Sequence, residues 1–583
     1  MTEGINVTDR KELFIMKKRQ IVSFAAAAVF AAVSVTGCSL FSRTAETNTA
    51  QRNSPEVVIP EDAGLKETRV ETTAAAPKTE MAPEIAEAQP RWSILPSHNQ
   101  SAAAAAKTAD IAAEIPADGY LGEIYDYGST DFPSAGGEEY SRLNENGFIR
   151  TSENPVSTFA ADVDTASYSN LRRLLSYGYG LRDLPENAVR IEELINYFSY
   201  DYEGPRGNEP FGVTTVLGDC PWNKDAKLLS IGLQTEDIDF SDAPASNLVF
   251  LIDVSGSMYS EDKLPLLQNA FCMLADQLDG DDTVSIVTYA GEDRIVLDGV
   301  SGDRHDTIRK AIRSLEAGGS TNGSAGIVTA YELAEEHFIE GGNNRVILAT
   351  DGDLNVGVTT VGGLERLISE KKETGVFLSV LGFGSGNIKD NRMETLADKG
   401  NGNYAFIDSV KEAKKVLVKE LSSSLLTVCK DVKLQVKFDP DAVKEYRLIG
   451  YANRMLEEKD FDDDTKDGGE IGAGHSVTAM YELVLNRGWE NTEKLLDLDI
   501  RFKRPDAAES ELLTYEAGSG IYREEPGNDF LFQSAVAEFG LLASSSRYAG
   551  GASLREVRRI LEAAEPEDEY KEEFYEMILD LYD

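Results

Sequence analysis

Between residues 247 and 425 the chain alternates between short, uninterrupted apolar runs and stretches with a helical period. NLVFLID (247–253), TVSIVTYA (283–290), RIVLDGV (294–300), RVILATD (345–351), VFLSVLGF (376–383) and NYAFID (403–408) read as strands. The intervening periodicity predicts helices at 264–278, 304–316, 323–338, 361–373, 389–399 and 409–424. Strands that are Val/Ile/Leu-rich throughout, rather than at alternate positions, are buried on both faces, as in a parallel sheet covered by helices on either side. The pattern predicts a doubly wound, Rossmann-like α/β domain over residues 246–426.

In such a sheet, ligands gather beyond the carboxyl ends of the strands, where the strand order reverses. Five oxygen-bearing side chains fall at such places: Asp253, Ser255 and Ser257 in DVSGSM, Thr321 in GGSTNGSAG, and Asp351 in ATDGD. Asp253 ends the first strand and Asp351 the fourth, and that topology makes the two strands neighbours. Gly256 permits the turn that carries the two serines. Every donor is oxygen, with no His or Cys nearby, which favours Mg²⁺, with Mn²⁺ or Ca²⁺ as alternatives, over zinc or copper. Direct hydroxyl ligands, with carboxylates acting through water, leave such an ion strongly electrophilic, so that a partner's Asp or Glu can complete its coordination.

The DxSxS–Thr–Asp arrangement resembles the metal-ion-dependent adhesion site of von Willebrand factor type A (VWA) domains. The likeness extends beyond that domain. NPVSTFAADVDTASYSNLRR, VRIEELINYF, CPWN and EFGLLASSSRYAGGAS are similar to bacterial VWA lipoproteins with an N-terminal VWA-associated segment and a C-terminal domain of unknown function, over residues 150–583. The resemblance implies that Asp253, Ser255, Ser257, Thr321 and Asp351 form a metal site that binds a protein partner, in adhesion or envelope assembly, and that the protein is not an enzyme. Two other readings are a structural envelope protein whose metal stabilises loops, and a metal-dependent hydrolase.

The N-terminus reads as an export signal. Met16-Lys17-Lys18-Arg19 is a basic start, residues 21–35 are an apolar run, and Val35-Thr36-Gly37-Cys38 resembles a lipobox. The run is shorter than the ~20 residues that span a bilayer. Residues 1–38 are therefore expected to be a lipoprotein signal peptide with its true start at Met16, and the resemblance implies lipidation of Cys38. Residues 39–145, Ala/Thr/Pro/Glu-rich in their first eighty positions, are expected to form a disordered tether. The expected location is the cell envelope, lipid-anchored, in the outer membrane and periplasm or at the cell surface.

Residues 146–245 read as helices plus two strands, FGVTTVLG (211–218) and KLLSIGLQ (227–234). Residues 427–525 are β-rich and suggest a small sandwich. The strands at 211–234 lack enough partners of their own, which predicts that the α/β domain is inserted into one sandwich built from both flanks. Residues 526–583 are helical, with apolar stripes such as Leu554, Val557, Leu561 and Phe574, Met577, Ile578, Leu581.

The chain has 583 residues and a net charge of −44, which argues against nucleic-acid binding, since that needs a basic surface. Beyond Cys38 an odd number of cysteines remains: Cys220, Cys272 and Cys429. Cys272 sits on an apolar helical stripe and is expected to be a buried thiol, whereas pairing of Cys220 with Cys429 is left open. A nucleophilic serine needs a neighbouring base, and none of His98, His305, His337 or His475 lies beside a Ser–Asp arrangement. Asp162-Val163-Asp164-Thr165 resembles an aspartyl phosphotransfer motif but lacks the preceding apolar strand, so a helix cap is expected there. The run Asp462-Asp463-Asp464 is expected to be a solvated loop.

Overall fold

The computed structural model describes residues 137–582, apart from 237–243, 320–325, 353–360, 421–425, 465, 467, 506 and 508. The export signal, Cys38, most of the tether and Thr321 lie outside the described residues. Among the described residues, no helix is long and apolar enough to cross a membrane.

The α/β domain contains six strands: β1 (Ser246–Asp253), β2 (Thr283–Tyr289), β3 (Asp293–Ser301), β4 (Asn343–Thr350), β5 (Val376–Phe383) and β6 (Tyr404–Ile407). They form one sheet in the order β6-β5-β4-β1-β2-β3. The first strand lies in the middle, and the chain winds outward first to one side and then to the other. The direction reverses between β1 and β4, which pair in parallel from Ser246↔Asn343 to Ile252↔Ala349. One expectation needs correction: β3 pairs antiparallel with β2, so the sheet is mixed rather than wholly parallel. The sequence between these two strands is only Ala290-Gly291-Glu292, which makes a hairpin, because a parallel crossover needs a dozen or more residues.

Helices α1 (Leu264–Ala275) and α2 (His305–Arg313) help to bury one face of this sheet. Helices α3 (Gly326–Glu336), α4 (Val361–Lys372) and α5 (Asp390–Lys399) bury the other. The expected last helix at 409–424 is shorter. It runs over Val410–Lys414 (α6), capped by the Ser409 side chain, and continues as one wider turn through Lys415–Lys419.

The remaining strands form two antiparallel sheets. The first orders Ile149–Arg150, Val443–Ile449, Ser476–Leu485, Lys227–Thr235 and Phe211–Asp219. The second orders Met455–Leu456, Val156–Ala160, Thr427–Phe438, Leu496–Lys503 and Glu511–Ala517. Each sheet joins chain from before the α/β domain to chain from after it. Lys227–Thr235 pairs with Ser476–Leu485, and Val156–Ala160 pairs with Thr427–Phe438. The α/β domain is thus inserted into a sandwich made from both flanks. Alternating residues such as Leu434, Val436 and Phe438 point into the core between the sheets, where they meet Leu229, Ile231 and Leu483.

The first sheet buries its second face too. Leu228, Ile449 and Met480 pack under helices Asn528–Ala543, Leu554–Ala564 and Glu569–Tyr582, together with the short helix Ile191–Asn196. The apolar stripe Val557, Leu561, Phe574 and Ile578 lies in this helical core as its spacing predicts. Cys220 belongs to this core and Cys429 to the core between the sheets, so the two do not pair. Cys272 is a buried free thiol, as its helical position predicts.

Candidate metal centre

Asp253 is the last residue of β1 and Asp351 directly follows β4. Because those strands are hydrogen-bonded neighbours, both carboxylates emerge at the reversal point, and both are buried. The backbone then turns sharply. The Ser255 N–H donates to Asp253 Oδ1 at 2.8 Å, which draws the turn back over the strand end. Gly256–Tyr259 forms a single 3₁₀ turn, anchored by the buried Met258. This turn brings the hydroxyls of Ser255 and Ser257 to 2.9 Å from each other. Ser255 is buried and Ser257 exposed, so the pair runs from the strand end towards solvent.

The structure therefore brings together four of the five expected ligands, Asp253, Ser255, Ser257 and Asp351; the fifth, Thr321, falls in the undescribed loop. It also adds groups that spacing alone did not reveal. The Lys263 ammonium, just before α1, donates to Asp351 Oδ2 at 2.8 Å, and both side chains are buried. The Thr350 hydroxyl lies 3.5 Å from Asp253 Oδ2 and accepts from the Gly352 N–H at 3.2 Å. The Tyr289 hydroxyl, at the end of β2, is buried and makes no hydrogen bond of normal geometry. Burial pushes this phenol well up, and the nearby Asp253 carboxylate adds to the effect. A Lys following Ser257 by six residues carries no periodic signal, so only the fold shows that it returns to the site.

The donor set suits a hard divalent cation. Asp351 Oδ1 is buried and has no hydrogen-bond partner. A buried carboxylate oxygen without a partner is costly, and a cation would satisfy it. The serine hydroxyls add neutral oxygens beside the Asp253 strand end.

Little here supports a serine nucleophile. Among the described residues, His305 Nε2 contacts the Leu278 carbonyl, His337 contacts Asp298, and the backbone of His475 is tied to Thr235. None of the three bonds to Ser255 or Ser257. The DVDT segment also departs from expectation, since Asp164 is not a helix cap. The cap residue of Ala166–Ser176 is Thr165, whose side chain makes no capping bond. Asp164 instead accepts from the Tyr404 N–H at 2.8 Å and from Arg454 Nη2 at 3.2 Å. It sits in a buried group with Glu193 and Glu394, neutralised in part by Arg190 and Arg454. Asp464 meets Arg501 and Ser510 on the surface, in keeping with a solvated loop.

Three family models match successive parts of the chain. Residues 134–230 match a von Willebrand factor model, residues 247–420 the von Willebrand factor type A domain, and residues 423–582 the model of "Uncharacterized protein YfbK, C-terminal". The Escherichia coli K12 protein YfbK, itself described as uncharacterized, is 40% identical over 476 residues, 77% of this chain and 82% of its own length. Human inter-alpha-trypsin inhibitor heavy chain H4 is 31% identical over 146 residues, 24% of this chain and 16% of its own. The solved von Willebrand factor type A structure from Catenulispora acidiphila covers 65% of this chain and 91% of its own, at 14% identity and a TM-score of 0.39. With so large a share of both chains aligned to YfbK at that identity, and with the VWA and YfbK C-terminal models adjoining along the sequence, this chain belongs to the YfbK family of VWA-domain proteins.

Proposed function

We propose that this protein binds a protein partner through a divalent cation, Mg²⁺ being the best fit, held by Asp253, Ser255, Ser257, Thr321 and Asp351. The observation that carries this reading is the meeting of two serine hydroxyls at 2.9 Å with two buried strand-end carboxylates, one of which keeps an oxygen without a hydrogen-bond partner. The VWA match supports interaction rather than chemistry as the domain's task. The cation would supply an electrophilic position for a carboxylate, so the partner is expected to present an Asp or Glu. Ser257, exposed at the rim, marks the side from which that carboxylate would approach.

The basic start at Met16, the apolar run at 21–35 and Cys38 support a lipid-anchored protein of the cell envelope, with residues 39–145 as a tether. On this reading the binding site is held away from the membrane, where it can reach a partner on another envelope protein.

The test is a capture experiment with the full chain in detergent-solubilised envelope, comparing Mg²⁺ with EDTA. Partner recovery in Mg²⁺, lost in EDTA and lost in a Ser255→Ala/Ser257→Ala variant that keeps its fold, is the expected result. Equal recovery in EDTA would sink the proposal.

A further inference from the structure

The lysine at the site has a place built for it. Its backbone closes the turn that follows the serines, its N–H bonding to the Ser260 carbonyl at 3.1 Å, while its own carbonyl starts α1 by accepting from Leu267 at 2.8 Å. The same short segment thus carries Ser255, Ser257 and Lys263. The aliphatic stem passes under Gly384, where an added Cβ would stand 2.3 Å from Lys263 Cε and 2.5 Å from Cγ. Gly384 also has φ +81°, a backbone conformation that side chains rarely adopt. Two features of the chain, the glycine and the turn, therefore deliver one ammonium to one oxygen of Asp351 and leave the other oxygen without a partner.

This arrangement sets the charge of the site. Asp253 and Asp351 contribute two negative charges, and Lys263 returns one positive charge. Counting these groups alone, a divalent cation held there leaves one positive charge in excess, and a single incoming carboxylate cancels it. Without the lysine the same count comes to zero, so the lysine adds to the attraction that the cation already exerts on a partner carboxylate.

We infer that Lys263 is a positioning residue that weakens intrinsic metal affinity and makes metal and carboxylate binding depend more strongly on each other. It does so through its contact with Asp351, and the inference rests on the metal-site reading above. Groups that contact metal ligands typically change metal affinity 10–100-fold when removed. They usually strengthen the site, but here the contacting group is a cation, so its removal should tighten binding. By linkage, whatever factor a carboxylate gains from the metal, the metal gains from the carboxylate.

The experiment titrates the full chain with Mg²⁺ alone, by calorimetry and by thermal shift, in chloride and again in acetate at equal ionic strength. Three forms are compared: wild type, Lys263→Met, and Lys263→Gln, which removes the charge but keeps a donor for Asp351. The wild type is expected to bind Mg²⁺ several-fold more tightly in acetate than in chloride. Lys263→Met and Lys263→Gln are expected to bind at least tenfold more tightly in chloride and to show a smaller acetate effect than the wild type. If one variant fails to fold, the other decides. Unchanged or weaker Mg²⁺ binding in a folded variant overturns the role of Lys263 alone. No Mg²⁺ binding by the wild type in either salt overturns the metal site itself, and this inference with it.

Discussion

Asp164 Oδ1 accepts a hydrogen bond from the Tyr404 backbone N–H at 2.8 Å, tying the segment before the inserted domain to the first residue of that domain's last strand. Its other oxygen meets Arg454 from beyond the insertion at 3.2 Å. Three stretches of chain, far apart in sequence, thus share one buried carboxylate. Nearby, Arg190 pairs with Glu193 and with Asp390 of α5, which fixes the same junction from a second side.

Replacing Asp164 with Ala should therefore destabilise the whole described body. The change leaves the Tyr404 N–H without a partner in the interior, while Arg454 keeps Asp398 and Asp162, at a cost of about 1–3 kcal/mol. Asp164→Asn keeps an acceptor for Tyr404 and should lose less. Urea unfolding of the two variants checks this, and equal stability of Asp164→Ala and wild type would refute it.

A second prediction concerns cation binding. Mg²⁺ at about 100 times its dissociation constant should stabilise the wild type by about 2.7 kcal/mol. Ser255→Ala/Ser257→Ala and Asp253→Ala should remove that stabilisation. Differential scanning calorimetry with and without EDTA reads the effect directly, and a Mg²⁺ shift that survives these substitutions would place the ion elsewhere.

The third concerns pH. Glu538, on Asn528–Ala543, is fully buried, accepts from the Ser553 N–H at 2.9 Å through Oε1, and has no partner for Oε2. Burial pushes its carboxyl up to about 7 from the ordinary 4.5. In this window the folded form holds a proton that the unfolded form has released, so this group's contribution to stability falls as pH rises from 4.5 to 7. Glu538→Gln, which cannot ionise, should match wild type near pH 4.5 and exceed it by about 3 kcal/mol above pH 7.5. Melting curves across that range test the crossover, and a constant difference between the two proteins would contradict it.

The fourth concerns the thiols. Cys220, Cys272 and Cys429 are buried, and burial pushes each thiol up, that of Cys429 to about 12. Little thiolate exists at pH 8, and access is poor. Ellman's reagent should label these three slowly in the native protein and promptly in denaturant. Rapid native labelling of any one would show that its core opens easily.

The inserted domain is the most legible part of the sequence, because β1 and β4 each hold an unbroken apolar run, Leu248–Ile252 and Val346–Ala349, and their ends carry the chemistry. Asp253, Ser255, Ser257 and Asp351 could be placed from strand ends and one turn. Lys263 could not, since its approach depends on the close passage of Gly384, which lies 121 residues further on and has no local signature. The antiparallel β3 resembles a parallel strand only in its short apolar run Ile295–Leu297, and the short link before it is what distinguishes a hairpin. Asp164 was misread as a cap because its true partners, Tyr404 and Arg454, are distant in sequence. Within the sandwich, alternation marked strands such as Thr427–Phe438 and Ser476–Leu485, but not which sheet each one joins.

The pairing of Val156–Ala160 with Thr427–Phe438 also has a kinetic meaning. As a flexible chain, the roughly 270 residues between these strands would have to close one very long loop before the second sheet could form, and such non-local pairings are slow. Once the inserted domain has folded, the larger part of that loop becomes a rigid body attached by two short connections, Thr235 to Ser246 and Lys419 to Thr427, and the chain left to search shrinks to residues 161–235 and those links. Assembly of the sandwich is therefore paced by the domain it encloses, and a substitution in β1 or β4 that delays that domain should slow the appearance of a sheet that neither strand touches.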